Sequence, residues 1–204
     1  PLKFMSFRVE QKIPVSLSDG LKIINDLSEN GLKDLYPERT ISSDYFDTKD
    51  LNLFKDSEEG LLPRKKIRLR KYPFSENITA SFETKISSIE GRFKTSDELS
   101  KKEIVNLYKF GYFDQFYGNL EAKINVSYNR KYYSYKGMRI TLDRNIIYKD
   151  LNSRVNLFFD PSCVIEIKAG PHVTSDHISE LFSLHTRRFS KYCNGVQYLS
   201  LKEN

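Results

Sequence analysis

The chain has 204 residues, with 33 Lys and Arg against 27 Asp and Glu, a formal charge of +6 and a pI near 9.1. Hydrophobic residues at 39% and aromatics at 13% exclude a disordered chain, and residues 1–204 are expected to form one domain. No run approaches the roughly 20 apolar residues of a membrane helix, and the start, PLKFMSFRVEQK, has no apolar leader core, so a soluble cytoplasmic protein without a membrane segment is expected. Cys163 and Cys193 lie far apart, and His172, His177 and His185 form no HExxH, which argues against a disulfide framework and a zinc site. The moderate cationic surplus suits a polyanionic partner.

In chain order, Phe7–Ile13 alternates as a strand, with Arg8, Glu10 and Lys12 on one face and Phe7, Val9 and Ile13 on the other. Ser18 opens a helix through Leu21, Ile24 and Leu27 that stops near Gly31. Ser43–Thr48 is a short aromatic strand, and Asp56–Gly60 a turn-rich connection. Lys66, Arg68 and Arg70 stand in a row opposite Ile67 and Leu69. After turns at Tyr72–Asn77, Glu83 and Lys85 oppose Phe82 and Ile86, and Ser87–Arg92 is a further connection. Ser100 and Glu103 have capping-box spacing ahead of Ile104, Leu107 and Tyr108, with Gly111 as terminator. Ala122–Tyr135 reads as tyrosine-rich strand, turning at Gly137 into Met138–Asp143, where Arg139, Thr141 and Asp143 share a face. Glu166 and Lys168 oppose Ile165 and Ile167, and Thr174 or Ser175 caps a last helix running toward Tyr192. The apolar stripes of the helices are expected to pack on the outside of the sheet.

Glu-x-Lys recurs on three of these strands, and Arg and Lys dominate the polar faces with a carboxylate two residues away. An antiparallel sheet closed on itself would point this parity inward, giving an α+β fold in which a β-barrel encloses a charged tunnel under flanking helices. Such an interior is costly to desolvate unless a highly charged ligand fills it. Glu10, Glu83, Asp143 and Glu166 offer oxygen ligands for Mg²⁺ or Mn²⁺, and the cation rows suit phosphate oxygens.

With Glu10-x-Lys12, Tyr45-Phe46-Asp47-Thr48, Arg68-x-Arg70, Glu83-x-Lys85, Arg130, Arg139-x-Thr141-x-Asp143-Arg144, Glu166-x-Lys168 and Phe189-Ser190-Lys191-Tyr192 in this order, the chain resembles the triphosphate tunnel metalloenzymes. The resemblance is nearest to their vacuolar transporter chaperone (VTC) branch, the polyphosphate polymerase domain, and spans about Arg8 to Gly195. It implies a Mn²⁺- or Mg²⁺-dependent enzyme that passes the γ-phosphoryl group of ATP or another triphosphate to inorganic polyphosphate. By position it implies Lys12, Arg68, Arg70, Lys85, Arg130, Arg139, Lys168, Ser190 and Lys191 as phosphate-binding groups, with Arg68, Arg70, Lys85, Arg139 and Lys191 catalytic. Glu166 is implied as the principal metal ligand, while Glu10, Glu83 and Asp143 either join it or orient neighbouring cations. Ile13 replaces the aromatic residue that many members carry after the first Lys, a position that bears on how a nucleotide base sits.

Three other functions stay open at this level. In a triphosphate hydrolase water would replace the chain end, and a non-catalytic polyphosphate-binding module would keep the tunnel without chemistry. Nucleic acid is disfavoured because carboxylates interrupt the cation rows. A membrane-protein partner remains compatible with the resemblance.

Overall fold

In the computed structural model, residues 9–74, 80–153, 155–170, 172–182 and 189–200 are described. They form, in chain order, β1 (Val9–Ser16), α1 (Leu17–Glu29), β2 (Lys33–Asp47), α2 (Asn52–Glu59), β3 (Arg64–Lys71), β4 (Ala80–Ser88), β5 (Gly91–Glu98) and α3 (Lys101–Phe110). There follow β6 (Tyr112–Asp114), β7 (Gly118–Tyr135), β8 (Met138–Asp150), β9 (Leu157–Asp160), β10 (Ser162–Ala169), α4 (Ser175–Phe182) and α5 (Lys191–Ser200). Local chemistry sets several of these boundaries. Ser16 caps α1 by accepting the Asp19 N–H at 3.1 Å. Ser100 and Glu103 form the expected capping box of α3, and α3 ends at Gly111. The β7–β8 hairpin turns through Lys136 and Gly137, both at positive φ (46° and 74°), as a tight twisted hairpin requires.

The strands form one antiparallel sheet in the order β1-β10-β8-β7-β2-β3-β4-β5, with β6 beside β7 and β9 beside β8. It curls into a half-barrel. Strands far apart in that order come face to face, since Lys12 of β1 interacts electrostatically with Tyr45 of β2, and Glu10 with Lys85 of β4. The alternation read from sequence survives as two environments. The convex side of β1, β8 and β10 buries Ile13, Ile140, Leu142, Ile165 and Ile167 with Ile24 and Leu27 of α1 and Ile178 of α4. The convex side around β3 and β4 buries Phe46, Ile67, Leu69 and Phe82 with Leu107 of α3.

Four expectations are corrected. The third helix is two, because Thr174 caps α4 by accepting the His177 N–H and Ser190 caps α5 by accepting the Cys193 N–H, so Ser190 lies outside helical geometry. His185 and Phe7 lie outside the described residues. α5 does not cover the outside of the sheet: Tyr192, Cys193, Val196 and Leu199 pack on Ile41, Tyr45, Ile124, Val126 and Tyr148 within the curl. Gly195 permits this approach, since a Cβ there would stand 2.7 Å from Ile124 Cδ1 and 2.8 Å from Tyr148 Cδ1. The connection read at Asp56–Gly60 belongs largely to α2, whose Leu53 and Phe54 N–H groups both donate to the Asp47 carboxylate at 2.9 Å. Lastly, Ile13 is 2% exposed in the convex core, so its side chain does not face a nucleotide in the curl. No helix among the described residues is long and apolar enough to cross a membrane.

Candidate active site

Residues directly opposite in an antiparallel ladder point to the same side, so register shows which side chains share the concave face. On one wall, Lys12 of β1 lies opposite Glu166 of β10, Glu166 opposite Thr141 of β8, and Thr141 opposite Tyr132 of β7. One step along, Glu10, Lys168 and Arg139 form a parallel row; one step the other way, Asp143 faces Arg130. On the facing wall Lys66, Lys85 and Lys94 are in register across β3, β4 and β5, next to Arg68 with Glu83 and Arg70 with Ser81. The structure therefore gathers Glu10, Lys12, Arg68, Arg70, Glu83, Lys85, Arg130, Arg139, Asp143, Glu166 and Lys168 on one surface. The start of α5 reaches the same surface: Lys191 Nζ lies 2.5 Å from Asp143 Oδ2, and Lys66 Nζ donates to Ser190 Oγ at 2.8 Å.

The carboxylates hold the cations in place. Glu83 accepts from Arg68 Nε and Nη2 (2.8 and 2.6 Å) and from Lys94 Nζ (2.6 Å), with Arg70 at 3.7 Å. Asp143 takes the forked Arg130 contact at 2.5 and 2.7 Å as well as Lys191. Glu166 pairs with Lys168 at 2.9 Å and Arg130 at 3.1 Å, and Glu10 with Lys12 at 3.1 Å and Lys168 at 3.5 Å. Rings support the same groups. Tyr128 lies under Lys191 and Arg130 (4.7 and 5.3 Å), while Tyr45 lies under Arg68 and its hydroxyl oxygen accepts from Arg68 Nη1 at 2.9 Å.

Electrostatics follow from this crowding. Burial would raise the Glu83 carboxyl, but Arg68, Arg70 and Lys94 bring it down to about 2. Burial likewise opposes ionisation of Glu166, yet Arg130, Lys168 and Lys12 hold it well below the usual range. Burial, with Arg68 next to it, lowers Lys85 from 10.5 to about 7. Burial also lowers Lys66, and Tyr45 is drawn down against its own burial by Arg68 and Arg70. A surface whose cations outnumber its carboxylates, and where one lysine is close to losing its proton, lacks negative charge. Arg70 Nε, Ser43 Oγ and Thr141 Oγ1, all on this face, are buried with no hydrogen-bond partner among the described residues. The arrangement suits a polyanion with several acceptor oxygens.

Among the described residues, no three or more His, Cys, Asp or Glu side chains converge as a metal cluster. Glu10 and Glu166 do lie within mutual electrostatic reach, and both are held ionised. Two carboxylates completed by substrate phosphates are the donor set Mg²⁺ or Mn²⁺ accepts, so these residues fit such an ion. All four carboxylates also pair with cations, Glu83 and Asp143 on opposite sides of the cleft.

Lys66 and Lys94 belong to this surface but were not among the residues carried over from sequence. Lys66 had a signal, sharing the parity of Arg68 and Arg70, whereas Lys94 sits on the polar strand β5, which has little apolar alternation. Asp47 of the Tyr-Phe-Asp-Thr run serves architecture: it caps α2 and accepts the Tyr192 hydroxyl of α5.

Solved structures share this sheet. A candidate adenylate cyclase from Bacillus halodurans aligns with a TM-score of 0.60 at 20% identity, covering 91% of this chain and 94% of its own. A candidate adenylyl cyclase from Hippeastrum with a dominant triphosphatase activity aligns at 0.57 and 12% identity, covering 93% and 95%. A Pyrococcus horikoshii protein aligns at 0.55 and 13% identity, covering 91% and 98%. No curated protein sequence matches the chain. The family model of the VTC domain matches residues 7–200, and with the charged half-barrel those residues build, the chain belongs to the VTC-domain family.

Proposed function

We propose that the chain is a metal-dependent polyphosphate polymerase that transfers the γ-phosphoryl group of ATP to the end of an inorganic polyphosphate chain. The observation that carries this reading is the docking of Ser190 and Lys191 into the cationic concave face, through Lys66 and Asp143. Phosphoryl transfer demands chiefly positioning and charge neutralisation, which this face is built to supply. Arg68, Arg70, Lys85 and Lys12 bind the triphosphate oxygens from two walls, Arg130, Arg139 and Lys168 hold its flank, and Lys191 neutralises the transferring group. Glu83 and Asp143 fix the orientation of those cations. Glu166, with Glu10, would hold Mn²⁺ or Mg²⁺, which would supply positive charge to offset that of the phosphates.

In the reaction the terminal phosphate oxygen of the acceptor attacks the γ-phosphorus, and the bond from phosphorus to the β-bridging oxygen breaks. ADP leaves with that electron pair. The acceptor is already anionic, so the site needs no general base. A hydrolase reading draws support from the triphosphatase activity of the Hippeastrum neighbour, whose likeness extends to the fold. Titration with tripolyphosphate in Mn²⁺, followed by turnover assays on Glu166→Ala and Lys191→Ala, tests the assignment. Both variants should still bind tripolyphosphate and lose turnover; undiminished turnover in Glu166→Ala would remove it from the metal site.

A further inference from the structure

Polar and aromatic side chains are distributed unevenly along the concave face. Along β3, Lys66, Arg68 and Arg70 alternate on one side, and Tyr72, just past the end of the strand, packs on the apolar cluster of that same face. β7 repeats the pattern: Arg130 is followed two residues later, on the same face, by Tyr132. Tyr132 is within electrostatic reach of Arg130, Tyr72, Tyr128 and Arg39. Tyr36 of β2 meets Tyr132 edge to face, with ring centroids 5.8 Å apart and planes at 80°. Arg39 and Tyr36 are exposed, and Tyr72 and Tyr132 are half-buried. The side of the cleft formed by β7, β2 and the end of β3 is thus an aromatic shelf with an arginine, next to Arg130, while the end marked by Lys66 carries the in-register lysines Lys85 and Lys94.

We infer that Tyr132, Tyr72, Tyr36 and Arg39 form a stacking site for the base of a nucleoside triphosphate, which sets the direction in which the triphosphate lies in the cleft. This rests on the triphosphate reading above and deepens it. Inorganic phosphate chains gain nothing from half-buried rings, whereas a purine gains stacking area on a tyrosine face and against a guanidinium. Arg130 lies about 7 Å along the strand from Tyr132, which leaves space for a ribose between the base and the first phosphate. With the base on the shelf, the γ-phosphate points down the cation row toward Lys66, Lys85 and Ser190, the cap of α5. The growing chain then occupies the lysine end.

The test compares ATP and tripolyphosphate by calorimetric titration of the whole chain in its wild-type, Tyr132→Ala, Tyr132→Phe and Tyr72→Ala forms. Tyr132→Ala should weaken ATP roughly five- to a hundredfold, the range of base-to-ring stacking losses, and leave tripolyphosphate within about twofold. Tyr132→Phe should bind both ligands as wild type, since the ring is what stacks. Unchanged ATP affinity in both alanine variants, or parallel losses of ATP and tripolyphosphate, would overturn the shelf. Failure of the wild type to bind tripolyphosphate would overturn the triphosphate reading itself, and the shelf with it.

Discussion

Lys85 links the chemistry of the cleft to the stability of the fold. It stands in register between Lys66 and Lys94, and burial together with Arg68 lowers it from 10.5 to about 7. At about 1.4 kcal/mol per unit, that depression corresponds to roughly 5 kcal/mol of unfavourable charge in the folded protein. Partial solvent access reduces the expected measurable share to about 1–3 kcal/mol. Lys85→Met keeps the length of the side chain and removes the charge, so it should stabilise the ligand-free protein and raise its Tm by about 3–10 °C. The sign with pH follows from proton counting. The unfolded lysine keeps its proton up to 10.5 and the folded one releases it above about 7, so the unfolded state binds more protons in between, and the contribution of Lys85 to stability rises with pH across that window. The advantage of Lys85→Met should therefore be greatest below about pH 7 and fade toward the upper end of the window. Tripolyphosphate binding should weaken by about 10- to 100-fold, the loss of one buried charge-assisted contact. Denaturation across this pH range and calorimetric titration read both effects. A variant less stable than wild type, or equally stabilised at every pH, would refute the charge-crowding argument, and unaltered affinity would place Lys85 outside the site.

Binding of triphosphate above pH 7 should also draw a proton onto Lys85, seen as buffer-dependent heat at about pH 8 and absent in Lys85→Arg. Glu83→Gln leaves Arg68, Arg70 and Lys94 without their shared carboxylate and should cost about 3–5 kcal/mol, with tripolyphosphate restoring an unusually large part of the lost Tm. Since Glu83 is lowered from 4.5 to about 2, its contribution is complete above 4.5 and disappears as pH falls toward 2; acid unfolding of the wild type should fall in that window and Glu83→Gln should flatten its pH dependence. Gly195→Ala forces a Cβ against Ile124 and the buried Tyr148 ring, and should destabilise by about 1–3 kcal/mol in urea unfolding; an unchanged midpoint would mean that α5 is not seated as described.

The charged interior was legible because period-two alternation runs through residues 9–13, 66–70, 82–86, 138–143 and 165–168, where charged or polar side chains hold one parity and mostly apolar ones the other. Elements lacking that contrast were not. The first half of β2, from Lys33 to Arg39, is exposed throughout, and β5 has little apolar alternation, so their pairing is visible only in the ladder. α2 hid within acidic turn residues because its cap, Asp47, belongs to the strand before it. α5 was misplaced for a related reason: on β7 the concave parity changes from Ile124 and Val126 to Arg130 along one strand, so half of the interior is apolar and accepts a helix. A stripe on that helix says that it packs, without saying on which side of the sheet. The aromatic shelf has no signal in the sequence because Tyr36, Tyr72 and Tyr132 come from three segments that only strand pairing brings together.

The most direct test of the polymerase assignment is to incubate the purified chain with ATP, Mn²⁺ and a pyrophosphate primer and follow products by gel and phosphorus NMR, beside Glu166→Ala. The account predicts a polyphosphate ladder with stoichiometric ADP that the variant does not form. Orthophosphate without a ladder would contradict the polymerase and favour hydrolysis, and tight tripolyphosphate binding without turnover would make the cleft a binding module.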